Sequence, residues 1–103
     1  MILHLAVFQW NADVTDDDVA ELTEALTAMA ADIPELREYR CGVNLRLRPS
    51  PADYGVAALV DDEDALAAYL DSAAHAAVYE RYLGRMIADR SAAQLSVGPD
   101  TTL

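Results

Sequence analysis

A chain of 103 residues has room for one small domain, because a second hydrophobic core would need more sequence than this. Its composition, 53% hydrophobic and 24% charged, is that of a folded globule, and a formal net charge of −11 argues against nucleic acid or an anionic membrane as partner, since Lys and Arg drive binding to both. All seven cations are arginine, which excludes lysine Schiff-base and pyridoxal mechanisms.

In chain order, residues 2–10 read as a strand of aliphatic, β-branched and aromatic residues, ended by Asn11-Ala12-Asp13. Thr15 is placed to cap a helix. Asp16, Asp17 and Asp18 fill its first turn, where carboxylates oppose the helix dipole, and Asp18 stands three residues on as a short-armed capping-box partner. Val19, Leu22, Leu26, Met29 and Ile33 form one apolar stripe, and Pro34 ends the helix.

After a polar corner at residues 35–40, Cys41 to Arg48 alternates as a second strand, with Val43, Leu45 and Leu47 on one face and Asn44, Arg46 and Arg48 on the other. Residues 49–53 make a turn, and Tyr54 to Val60 a third strand. Asp61 to Asp64 open a second helical region with Leu66, Tyr69 and Leu70 inward. It breaks near Ser72 and resumes through Val78, Tyr82, Leu83 and Met86. A short strand, residues 93–97, precedes Gly98-Pro99 and a polar tail.

The order βαββαβ predicts an α+β fold of ferredoxin type, an antiparallel sheet with two helices on one face. The first strand is apolar on both sides, Ile2, Ala6 and Phe8 against Leu3, Leu5 and Val7, and the third strand reads the same way. Two helices cover one face only. The other would expose a large apolar patch, so the pattern predicts a homodimer joined through the sheet face.

Cys41 is the sole cysteine, so no disulfide forms within one chain, and a reducing cytoplasm is the expected setting. The N-terminal apolar stretch lacks a basic leader and a small-residue cleavage site, and nothing approaches the roughly 20 apolar residues of a spanning helix.

His4 and His75 are the only side chains that titrate near neutral pH without help. His4 interrupts an apolar strand and needs a partner wherever it is buried. An imidazole such as His75 can remove a proton from an activated methylene, and a phenol such as Tyr69 can orient it or donate to the enolate oxygen. Phe8, Trp10, Tyr54, Tyr79 and Tyr82 are candidates to line an apolar cavity, or equally to fill plain core. Arg46 and Arg48 are candidates to hold a carboxylate, or to offset nearby acids. Asp71, His75 and His4 make at most a sparse metal set with no further His or Cys, so no metal or other cofactor is expected.

The sequence resembles the stress-responsive A/B-barrel (Dabb) family of dimeric α/β barrels. The resemblance rests on Leu3 to Phe8, Thr15, Ile33-Pro34, Gly42-Val43-Asn44, Tyr54-Gly55, and the run from Asp62 through Tyr69 to Ala74-His75. It spans nearly all of the chain. The family includes olivetolic acid cyclase, a polyketide cyclase, and the resemblance implies His75 as general base, Tyr69 as its partner, and His4 in the same pocket. Two positions depart from the pattern. Ser72-Ala73-Ala74-His75 stands where the family usually has His-Pro-Ala-His, and Leu26 replaces a pocket tyrosine of the cyclase.

Taken together, these readings predict a cofactor-independent acid/base catalyst acting on a small apolar carbonyl compound by cyclisation, aldol closure or dehydration. One alternative is a non-catalytic stress-responsive dimer that binds a small hydrophobic ligand. Another is a cofactor-free monooxygenase, for which Trp10 and Asn44 would have to meet a histidine.

Overall fold

The computed structural model describes residues 1–103. Its elements are β1 (Ile2–Trp10), α1 (Asp16–Ala31), β2 (Glu38–Val43), β3 (Tyr54–Val60), α2 (Glu63–Leu70), α3 (Ala73–Val78) and β4 (Ile87–Ser96). Between α3 and β4 the helix continues through a π-helical turn, Tyr79–Leu83, and one last turn, Gly84–Met86. The strands form one antiparallel sheet in the order β2-β3-β1-β4, the ferredoxin-like arrangement.

Local chemistry sets the helix starts. Thr15 Oγ1 accepts from the Asp18 amide at 3.1 Å and the Asp18 carboxylate accepts from the Thr15 amide at 3.0 Å, closing the capping box. Asp62 caps α2 through the Ala65 amide at 2.8 Å. α1 ends at Ala31, two residues before the Ile33-Pro34 stop, and Ile33 still packs into the core. The core joins Leu22, Leu26 and Met29 of α1 to Phe8, Tyr54, Val56 and Ala58 of the sheet and to Tyr69, Val78, Leu83 and Met86. Each of the Val, Leu, Phe and Met side chains among them contributes about 1.5–3 kcal/mol by leaving water.

The strand register assigns the faces. His4, Ala6 and Phe8 lie on the helix side, while Leu3, Leu5 and Val7 lie on the far side, opposite Leu59, Ala57 and Gly55 of β3 and Leu95, Ala93 and Ser91 of β4. No helix covers that far side, and Val7 and Leu95 remain 42% and 47% exposed there.

Two strands depart from the sequence reading. β2 begins at Glu38, inside the presumed corner, and ends at Val43. Beyond it the Asn44 amide side chain donates to the Ala52 carbonyl, Asn44 Oδ1 accepts from the Arg46 amide, and Arg46 takes a positive φ of 55°. An ion pair of Arg46 with Asp53 holds this turn. Leu45 and Leu47 are therefore 75% exposed loop residues, and their alternation with polar neighbours is not that of a strand. β4 runs ten residues from Ile87 to Ser96 and is exposed after its first residue. Its polar start, Asp89-Arg90-Ser91, suits an edge strand but hides it from a pattern search.

No helix is long and apolar enough to cross a membrane.

Candidate functional site

A hollow of about 350 Å³ opens between the sheet and the helices. One row across the sheet supplies much of its polar floor, because His4 stands opposite Ala58 of β3 and Gln94 of β4, and Ala58 stands opposite Tyr39 of β2. The next rows bring Ala6 with Val56 and Ala92, then Phe8 with Arg90. Leu26, Tyr69, Leu70, His75, Tyr79 and Leu83 complete the walls from the helices.

His4, Tyr69 and His75 all face this hollow. The Tyr69 ring stands edge-on to both imidazoles, with centroids 6.2 Å from His4 and 5.3 Å from His75. The Tyr39 ring stands edge-on to Tyr69 with centroids 6.3 Å apart, and Tyr79 lies 6.5 Å from His75. Seventy residues separate the two histidines in sequence, and the sheet-helix layer brings them into one space.

Ser72 sets the relation between Tyr69 and His75. Its hydroxyl donates to the Tyr69 carbonyl at 2.8 Å and accepts from the His75 amide at 3.1 Å, so it ends α2 and caps α3 at once. A serine hydroxyl thus holds this turn. Farther along, the Gly84 amide donates to the Tyr79 carbonyl across the π-helical turn. A Cβ at Gly84 would meet that carbonyl at 3.2 Å, which explains a glycine inside this helix.

Burial and charge set the protonation states. Burial first, then the neighbouring His75 and Arg90, hold His4 below its ordinary value of 6.5. Burial and Arg90 also lower His75, with Asp71 pulling the other way. Both rings are therefore neutral at pH 7. Burial raises the Tyr69 phenol, against the opposing hydrogen bond from Tyr39, and it raises Tyr39 well above the range of free tyrosine, so both stay protonated. The Gln94 amide lies 3.0 Å from His4 Nδ1, and since an amide nitrogen only donates, Nδ1 accepts and Nε2 carries the ring proton.

Of the residues read from sequence as pocket-lining, Phe8, Leu26 and Tyr79 face the hollow. Tyr54 and Tyr82 do not. Tyr54 is fully buried beneath α1, its hydroxyl 2.7 Å from Thr23 Oγ1 and its ring beside Phe8 and Trp10, so it is core. Tyr82 packs against the core with the Arg81 guanidinium over its ring at 5.4 Å. Trp10 and Asn44 share a separate groove that contains no histidine. Tyr39, Arg90 and Gln94 were missed from sequence. Their only signal is strand register, which brings Tyr39 and Gln94 into the row of His4 and Arg90 opposite Phe8.

The sequence profile of the stress responsive A/B barrel domain matches residues 2–97. An uncharacterised protein of Streptomyces coelicolor is 36% identical over 94 residues, covering 86% of this chain and 97% of that protein. Among solved structures, a dimeric ferredoxin-like protein of unknown function from Thermobifida fusca superposes with a TM-score of 0.85 at 40% identity, over 93% of this chain and 90% of that one. The hydroxynitrile lyase of Passiflora edulis shares the fold, with a TM-score of 0.80 over 98% of this chain and 96% of the lyase, at 8% identity.

Proposed function

Because this chain belongs to the stress responsive A/B barrel domain family, we propose that its hollow is the site of a cofactor-independent acid/base reaction on a small, largely apolar carbonyl compound of polyketide type. The observation that carries this reading is the convergence of His4, Tyr69 and His75 on one cavity. His75, neutral at pH 7, takes a proton from a carbon next to a carbonyl, and the electron pair moves onto that oxygen. The protonated Tyr69 phenol and the Nε2–H of His4 donate to the developing enolate. Attack of the enolate carbon on a second carbonyl forms the ring bond, and the new alkoxide recovers the proton from His75. Leu26, in place of a tyrosine, makes the wall above the sheet apolar and favours a substrate body without a polar group there.

A second copy of the chain is the natural cover for the far side of the sheet, where Leu3, Leu5, Val7 and Leu95 lie. The Thermobifida fusca relative is described as dimeric, which supports the same arrangement here. The non-catalytic reading, a dimer that holds a small hydrophobic ligand, draws its support from a lining in which ten of fourteen residues are hydrophobic.

One experiment separates the two readings. In D₂O, proton NMR follows deuterium exchange into the methyl group of acetophenone, a carbonyl probe whose exchange in neutral buffer is slow. The acid/base reading expects exchange accelerated by the protein and lost about 10²- to 10⁴-fold in His75→Ala. Exchange no faster than in buffer, or equal rates in the variant, leaves ligand binding as the function.

A further inference from the structure

We propose that Arg90 anchors a carboxylate, so that the cavity takes small molecules with an apolar body and an acidic end. This deepens the reading of the hollow as a substrate site and rests on it. The chain carries 18 acidic residues against seven arginines, yet no Asp or Glu lines the hollow and one arginine does. Arg90 is the only permanently charged side chain there. Its position on β4 is opposite Phe8, on the helix-facing side of the sheet.

Most other arginines are engaged. Arg37, Arg40, Arg46 and Arg85 pair with Asp61, Glu38, Asp53 and Asp18, and Arg81 lies over the Tyr82 ring. Arg90 has neither a carboxylate nor an aromatic face of its own. Arg90 lines the same hollow as His4 and His75, and its charge helps to lower both imidazoles. A planar guanidinium fits a carboxylate through two parallel hydrogen bonds, and at the mouth of an apolar hollow such a pair is less screened than on open surface. The chain as a whole repels anions at a net charge of −11, so preference for an acidic ligand has to arise inside the cavity.

The test compares octanoate with octanamide, which share a chain and differ in charge, by calorimetric titration and by the fluorescence of Trp10, whose ring stacks on the cavity residue Phe8 at 5.7 Å. The expected result is octanoate binding about tenfold tighter than octanamide, the factor of one charge-assisted hydrogen bond. Added salt should reduce that preference. Arg90→Gln should abolish it while leaving octanamide affinity in place, Arg90→Lys should keep part of it, and Arg48→Gln, outside the cavity, should keep it whole. Equal binding of the two probes by the native protein, or a preference that survives Arg90→Gln, overturns the proposal, as does its loss in Arg48→Gln. The outcome is independent of the exchange assay. Carboxylate preference without exchange removes only the catalytic reading, and exchange without the preference removes only the anchor.

Discussion

Replacing Gln94 by leucine takes away the hydrogen bond that the structure gives the His4 ring, at nearly constant side-chain size. His4 is 7% exposed and its Nδ1 accepts from the Gln94 amide at 3.0 Å. A buried acceptor stripped of its donor costs about 1–3 kcal/mol. The hollow beside His4 admits water, which can replace part of the lost bond, so the expected cost is about 1 kcal/mol, at the low end. For a domain of this size that corresponds to a fall in Tm of about 4–8 °C. His4→Leu loses the ring and its need for a donor together, so His4→Leu/Gln94→Leu should be more stable than the sum of the single changes predicts. Thermal and urea unfolding of the four proteins, at one protomer concentration, gives the coupling, expected at about 0.5 kcal/mol or more. Single-variant costs that simply add, with Gln94→Leu itself within about 0.3 kcal/mol of the native protein, would refute the assignment of Gln94 as the residue that orients His4.

Acid should destabilise the protein in two stages. The folded pKa values of His4 and His75 lie below 6.5, so between 6.5 and those values the unfolded chain binds protons that the fold refuses, and stability falls with pH by at most about 1.4 kcal/mol per unit for each ring. Asp18 and Asp61, lowered by the Thr15 cap and by Arg37 respectively, lose their contribution only as pH falls below 3.8. Unfolding midpoints from pH 7.5 to 3 should show the first stage vanish in His4→Leu/His75→Leu while the second remains. Leu5→Arg puts a charge at the centre of the uncovered sheet face, opposite Ala57 and Ala93. Analytical ultracentrifugation should then find a monomer, where the native chain should sediment as a dimer, and a native chain already monomeric at micromolar concentration would contradict the proposed assembly.

Much of the frame was legible in the residues themselves. The capping box at Thr15 and Asp18, the apolar stripe of α1, and the break at Ser72 depend on contacts within one or two turns, and such contacts leave their mark at fixed spacing. The two-sided apolar pattern of β1 likewise announced a sheet covered by helices on one face and by none on the other. The resemblance to the A/B-barrel family brought His4, Tyr69 and His75 together as candidates, and the hollow contains all three.

Other parts were decided only by the fold. Leu45 and Leu47 alternate with polar neighbours as a strand would, but Asn44 closes a turn ahead of them, and a period of two does not distinguish the cases. Tyr54 and Tyr79 are the same residue type, yet one is sealed beneath α1 and the other stands at the hollow. Gln94, Tyr39 and Arg90 meet the site through pairings between strands far apart in the chain. Local periodicity records which face a residue occupies, because that follows from backbone geometry. Which residue stands opposite it is a matter of register between distant segments, and that is settled only when the whole sheet closes.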